Sequence, residues 1–393
     1  MSTGLLSLRL TGATVLRDGA LVARSVAISD GRITRGPLPA VDLEGYLVLP
    51  GIVDLHGDAF ERHLAPRPRA EFPPETALRA TDRDATANGV TTAWMAHGWS
   101  WEGGRRGPDQ AEAFLAALDR YRPQAQTDLR VQLRCETHTV ATADRLLAAV
   151  RRHKVDYVVF NNHLAEAAAL ADSAPPGPSR WAQDIGRTPE DFLAALRAAR
   201  AEAREVPRHL CRLAEAFDAW GVRYGSHDDP DGETRETFSM IGAKICEFPM
   251  RRSAAALARA VGDPVIMGAP NVVRGGSQAG NMPARDLIRD GLCCALVSDY
   301  HYPSLAAAAF RIVDEQLLDL PQAWALISER PAEIMRLPDR GRIDYGLRAD
   351  LTVVHAGTRA VEATIAGGRL THLTGGAAAR FMAALGAVAM AAE

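Results

Sequence analysis

The sequence predicts an α/β protein: a (β/α)8 TIM barrel over residues 51–340, with a small composite β-sheet domain made from residues 1–50 and 341–393. Three observations predict it. Short apolar runs alternate with amphipathic helical stretches, giving eight β/α units over about 290 residues, which is barrel arithmetic. Both ends of the chain are rich in short strands and turns. No Gly-x-Gly-x-x-Gly follows the early strands, which sets aside a dinucleotide-binding open sheet.

In chain order, Leu6–Leu10, Ala13–Val15, Ser25–Ile28 and Arg32–Ile33 alternate as strands, punctuated by Asp18-Gly19 and Asp30-Gly31 turns. The barrel strands end at Leu55, Ala96, Glu136, Phe160, Ser226, Phe248, Gly268 and Ser298. Between them, Ala111–Arg122, Ala141–Arg152, Glu190–Trp220 and Ser253–Val261 carry helical periodicity. The proline-rich stretches Pro66–Pro74 and Pro175–Pro178 read as long loops following strands, where barrel enzymes keep specificity. Past the barrel, Leu351–His355, Val361–Ile365 and Arg369–Leu373 resume the strand style of the N-terminus, with Gly367-Gly368 as a turn. No internal repeat is evident.

Composition narrows the function classes. With 45 basic and 48 acidic residues the net charge is −3, and 47% of residues are apolar. That describes a globular chain and argues against a disordered one or a binder of polymeric nucleic acid. No secretory signal is recognisable, and no apolar run reaches the roughly 20 residues of a membrane helix; Phe381–Ala392 is too short. The odd set Cys135, Cys211, Cys246, Cys293 and Cys294 lacks metal-type spacing, so these read as core thiols of a cytoplasmic protein. Only Lys154 and Lys244 are lysines; every other basic residue is arginine.

Polar residues collect where strands end: His56-Gly57-Asp58, Glu136-Thr137-His138, Asn161-Asn162-His163, Ser226-His227-Asp228-Asp229 and Ser298-Asp299-Tyr300-His301. A single His or Asp at a strand end is ordinarily just polar. In a parallel barrel, however, all C-terminal strand ends open on one face, so five such ends converge. Imidazoles and carboxylates together suit Zn²⁺, with Mn²⁺ as the alternative, as one or two ions. His56 and Asp58, two apart on an extended strand, point the same way. Such an ion brings the pKa of bound water to about 7, so the expected reaction class is metal-assisted hydrolysis. Asp299 is the expected general base, because it closes the barrel beside strand one.

Val273-Arg274-Gly275-Gly276-Ser277 follows strand seven, where glycine amides and an arginine can cradle phosphate oxygens. In isolation the same run is a flexible turn. Arg62 and Arg67 read equally as polyphosphate contacts or solvated loop arginines. His97, Trp99 and Trp101 form either a lid or rim packing. His138 and His301 flank the cluster, one of Asp228 and Asp229 is expected to be functional, and His153, His209, His355 and His372 read as structural.

Three segments resemble the amidohydrolase superfamily: Leu49-Pro50-Gly51-Ile52-Val53-Asp54-Leu55-His56, Gly89-Val90-Thr91-Thr92 and Gly346-Leu347-Arg348-Ala349-Asp350-Leu351. More narrowly, the chain is similar to the branch of that superfamily serving phosphonate utilisation. His56–Arg62 with Ala65–Pro68, Ser226–Asp229, Glu247–Pro249, Met267–Ser277, Gly280-Asn281 and Ser298–Tyr300 carry that likeness. The resemblance implies a metal-dependent hydrolase that cuts a ribosyl methylphosphonate 5-triphosphate to the 5-phosphate and diphosphate. It implies metal ligands His56, Asp58, Glu136, His163, His227 and Asp299, and substrate contacts at Arg67, Asn271, Arg274, Gly275, Gly276, Ser277 and Asn281. It also implies a homo-oligomer acting on a small phosphorylated substrate.

The chain departs from the superfamily pattern in three places. The bridging carboxylated lysine has no counterpart, since Lys154 precedes its strand and Lys244 begins one, and Glu136 is the available bridge. The histidines end strands four and five instead of five and six. The segment Met95–Gly104 does not match. Two other readings stay open: a C–N hydrolase or deaminase acting on a cyclic amide, and a non-catalytic barrel subunit.

Overall fold

The computed structural model describes residues 4–67, 70–171, 177–277 and 280–391. Parts of the two proline-rich loops, including Pro68, lie outside the described residues. The N-terminal segment forms β1 (Leu8–Thr11), β2 (Thr14–Arg17), β3 (Ala20–Ala23), β4 (Val26–Ser29), β5 (Arg32–Thr34), β6 (Ala40–Asp42) and β7 (Tyr46–Pro50). The barrel comes next, with β8 (Ile52–Gly57), β9 (Val90–Trp99), β10 (Asp128–Glu136), β11 (Tyr157–Asn161), β12 (Arg223–His227), β13 (Cys246–Glu247), β14 (Val265–Gly268) and β15 (Ala295–Val297). The chain ends with β16 (Leu351–His355), β17 (Val361–Ala366), β18 (Arg369–Leu373) and a helix, Gly375–Ala391.

Strands β8 to β15 pair in parallel, in sequence order. The ring closes at its C-terminal rim, where Asp299 N donates to His56 O (2.9 Å) and Asp58 N to Asp299 O (2.8 Å). Lower down, the segment Leu326-Ile327 is laced between the first and last strands, accepting from Leu296 N and Val53 N. Val53, Leu55, Trp94, Tyr157, Val159, Ile245 and Ile266 fill the interior, and a larger apolar layer lies between strands and helices. This is the (β/α)8 barrel that the strand–helix alternation predicts.

The two chain ends share one apolar core, in which Leu8, Leu10 and Ile28 meet Leu351, Val353 and Ile365. They build two sheets, not one. β1, β4, β5 and β6 form the first, while β2, β3 and β7 join β16, β17 and β18 in the second. Two of these pairings, β1–β6 and β2–β7, run parallel. Gly51 marks the crossing into the barrel: its N donates to Asp350 O at 2.8 Å, and a Cβ there would lie 3.0 Å from the Asp350 carbonyl carbon.

Two other sequence expectations are corrected. The helix expected over Glu190–Trp220 is two helices, Pro189–Ala201 and Val206–Trp220. Pro207 lacks an N–H and fits only a helix's first turn, so it starts a new helix there. Cys211, expected in the core, is exposed, and Cys293 and Cys294 are partly exposed; Cys135 and Cys246 are buried. Among the described residues no helix is long and apolar enough to cross a membrane.

His209 on the second of these helices is buried, and neither ring nitrogen has a hydrogen-bond partner. Burial, with Arg212 nearby, pushes its pKa down from 6.5 to about 4. The folded state therefore keeps it neutral while the unfolded chain binds a proton, so stability falls as pH drops from 6.5 toward 4. Its share of that loss is about 2 kcal/mol at pH 5. Urea midpoints at pH 5 and pH 8 should differ less in His209→Leu than in the wild type; an unchanged difference would refute the assignment.

Candidate active site

The first site residue is aimed by an irregularity. Val53 and Leu55 face the barrel interior, so strict alternation would turn His56 outward. Register slips between Asp54 and Gly57 against β9, where one extra residue is accommodated. Such a bulge changes the facing of the residues beyond it, and His56 and Asp58 both reach the barrel mouth. Gly57 is needed as well, since a Cβ there would lie 2.8 Å from Ser298 Oγ and 2.9 Å from Asp54 Oδ2.

A cleft of about 340 Å³ opens at the C-terminal rim. It brings together the predicted residues His56, Asp58, His163, His227 and Asp299, and adds Asn271, Arg274, Gly276, Ser277 and Asn281 from the segment after β14. Glu136 lies just beneath His163. Arg67 is exposed and does not line the cleft. Gly275 does not line it either: it caps the helix Ala269–Arg274 with φ 87°, and its N already donates to Val272 O. The expected run of glycine amides for phosphate is thus interrupted at Gly275. The Asn271 carboxamide accepts from Ala284 N at 3.0 Å and braces the returning loop.

His56 is buried on the floor of the cleft. Its Nδ1 donates to Glu247 Oε2 at 3.0 Å, which leaves Nε2 for a ligand. Glu247 is fully buried, and its Oε1 accepts from Gln132 Nε2 (2.7 Å) and from the Tyr157 hydroxyl (2.5 Å). Burial would depress the His56 pKa, yet the Glu247 carboxylate outweighs it and raises it. Burial lowers the pKa of His227. Its Nδ1 sits 2.8 Å from Asp228 Oδ2 without the alignment of a hydrogen bond.

Burial raises the pKa of Asp58, and the Asp299 charge adds to that. Burial raises Asp299 too, against relief from His56 and Arg134. Two carboxyls that crowd each other in this way are held apart at a cost that a cation removes. Asp299 holds a left-handed backbone (φ 54°) at the barrel seam.

The second cluster is closed on itself. His163 Nδ1 donates to Glu136 Oε1 at 2.6 Å, while His163 N (3.1 Å) and Trp101 Nε1 (3.3 Å) donate to Oε2. Burial would raise the Glu136 pKa, but the bond from His163 overcomes it and lowers it.

Among the described residues, three groups hold ligand atoms within 4.8 Å of one another: His56–His227–Glu247, His56–Asp58–Asp299 and Glu102–Glu136–His163. His56 belongs to two of them. Around it stand the unbonded Nδ1 of buried His227 in one group and the crowded Asp58–Asp299 pair in the other, N and O donors of the kind that hold a divalent ion. Glu136 and His163 belong to the third group, which shares no residue with the other two.

Other residues fall outside this arrangement. Asp229 is locked to Ser226 Oγ (2.6 Å) and Arg235, leaving Asp228 as the member of that pair facing the cleft. His97 packs between Phe60 and Phe114, and Trp99 joins the same layer, so both belong to rim packing. His138 bonds Thr137 Oγ1, and His301 bonds Ser304 Oγ. Sequence reasoning missed Arg106, Arg134, Glu247 and Tyr300 as site residues. A signal existed for one of them: Gln132, Arg134 and Glu136 share one face of β10.

Comparison with known proteins agrees with this fold. The amidohydrolase family model matches residues 195–372. The chain is 31% identical over 364 residues to the α-D-ribose 1-methylphosphonate 5-triphosphate diphosphatase of Escherichia coli (strain K12), covering 88% of this chain and 94% of that protein. Among solved structures, a triazine hydrolase variant matches with TM-score 0.62 at 12% identity, covering 96% of this chain and 98% of that one. N-acetylglucosamine-6-phosphate deacetylase from Pasteurella multocida matches with TM-score 0.60 at 10% identity, over 92% and 99%. At such identities these structures bear on the fold alone. The strand-end donor cluster, the barrel around it and the near full-length relative place the chain in the amidohydrolase superfamily, as a hydrolase.

Proposed function

We propose that the protein hydrolyses α-D-ribose 1-methylphosphonate 5-triphosphate, or a close relative, to the 5-phosphate and diphosphate. One observation carries this reading: the candidate metal ligands His56, Asp58, His227 and Asp299 share a single cleft with Arg274, Ser277 and Asn281. A bound divalent ion, Zn²⁺ with Mn²⁺ as the alternative, would bring the pKa of attacking water to about 7 and polarise the phosphoryl oxygen. One ion fits the donor set better than two. Asp299 accepts the water's proton, since its oxygens lie at the cleft floor beside His56 and Asp58. Arg274, steadied by the Tyr300 hydroxyl at 3.2 Å, supplies a fork of donors to the phosphonate end.

A neutral cyclic amide carries no charge of its own for Arg106, Arg134 and Arg274 to bind, so the C–N reading is disfavoured. A cytoplasmic homo-oligomer, with the barrel at 51–340 and the sheet region at 1–50 and 341–393, accompanies the proposal.

Metal analysis followed by phosphorus NMR tests it. The expected result is one transition-metal ion per chain, equal release of diphosphate and a monoester, and loss of both signals after chelation. A metal-free protein, or hydrolysis unchanged in His56→Ala, would sink the mechanism.

A further inference from the structure

Interior arginines in this protein engage several acceptors: Arg235 bonds Ser226 Oγ and Ile245 O, and Arg340 bonds Thr92 and Asp128. Three near the cleft engage none through their guanidiniums. The nearest carboxylate to Arg134 is Asp58, at 3.9 Å, and Arg106 lies 3.7 Å from Glu102. Arg105 is engaged only through its backbone, donating to Ile185 O. Among the described residues, no acceptor lies within hydrogen-bond distance of any of these three guanidiniums. Water or a ligand must supply the missing acceptors, because a partly buried guanidinium left without them is costly.

Their placement says where such a ligand sits. Arg134 lines the cleft beside Asp58. Arg106 lines the cleft and also a neighbouring cavity of about 260 Å³, which Arg105 and Arg62 line as well. A series of unsaturated donors therefore leads from the candidate ligand cluster into an annex. Glu61 and Asp184 also line the annex, so it is only weakly positive overall. Directed donors, more than bulk charge, would select the ligand, and release would stay easy.

We propose that Arg134, Arg106 and Arg105 form a track that holds the diphosphate leaving group, with the annex as its resting place. This rests on the triphosphate reading of the same cleft. In that reaction the water oxygen bonds to the α-phosphorus and its proton passes to Asp299. The bond from the α-phosphorus to the α–β bridging oxygen breaks, and its electron pair leaves with the diphosphate. Negative charge thus grows on the side facing Arg134 and Arg106, where preorganised donors lower the barrier. The ribosyl phosphonate end lies opposite, against Arg274 and Asn281.

Calorimetric titration of the metal-loaded protein with inorganic diphosphate, and separately with the ribosyl methylphosphonate 5-phosphate product, tests the track. Arg105→Gln and Arg106→Gln should each weaken diphosphate binding about tenfold or more, the loss of one or two charge-assisted hydrogen bonds. Both should leave the monophosphate product's affinity within about twofold, and Arg274→Gln should do the reverse. Thermal melts confirm that the variants are folded. Unchanged diphosphate affinity in both Arg105→Gln and Arg106→Gln, or equal weakening of both ligands, would overturn the inference. Should the triphosphate not be hydrolysed while Arg105 and Arg106 still govern diphosphate binding, the substrate reading falls and the anion track stands.

Discussion

Asp299→Asn should lower kcat for triphosphate hydrolysis by roughly 10²–10⁴-fold, the usual contribution of a positioned proton acceptor. The substitution is clean for a backbone reason. Asp299 sits at φ 54°, in the left-handed region that asparagine tolerates better than other replacements. Its main-chain bonds to His56 and Asp58 do not depend on the side chain. The variant should therefore fold, and at metal content matched to the wild type its kcat should fall much more than substrate affinity. Stopped-flow release of diphosphate beside a melting curve checks both halves. A variant retaining more than a tenth of wild-type kcat would remove Asp299 from the proton-accepting role.

Glu247→Gln should weaken metal binding about 10–100-fold, as losing a carboxylate behind a ligating histidine commonly does. The Glu247 carboxylate accepts from three donors at once: His56, Gln132 and Tyr157. A carboxamide has one acceptor oxygen and an NH₂ that must face another donor. His56 then loses its fixed orientation, or Gln132 and Tyr157 lose their partner. Because the group is fully buried, stability should also fall by about 1–3 kcal/mol. Chelator competition gives the metal affinity and urea unfolding gives the stability. Wild-type values in both would show that His56 is held by something else.

Much of this was legible in the sequence. Strand spacing gave the barrel, because strands buried on both faces read as short apolar runs between amphipathic helices, and polar strand ends marked the mouth. The ordering of histidines on the fourth and fifth strands also stands in the fold. Three features were hidden for physical reasons. The bulge in β8 changes which residues face inward, and periodicity alone does not announce an extra residue. Arg134 resembles any exposed strand arginine until the facing of β10 is known. Glu247 looked like one letter of a family motif, because its significance comes from Gln132 and Tyr157, far away in sequence. Gly275 shows the converse, since a glycine-rich run suited to phosphate spends its first amide on ending a helix.

The barrel seam has a consequence of its own. The first and last strands meet at the rim through the main chains of His56, Asp58 and Asp299, and lower down another segment is laced between them. The residues that close the ring are thus the residues offered to a ligand. Whatever engages His56, Asp58 and Asp299 together clasps the two ends of the barrel, so occupancy and ring closure are thermodynamically linked. The protein cannot relax its grip on such a ligand without also loosening its own hoop.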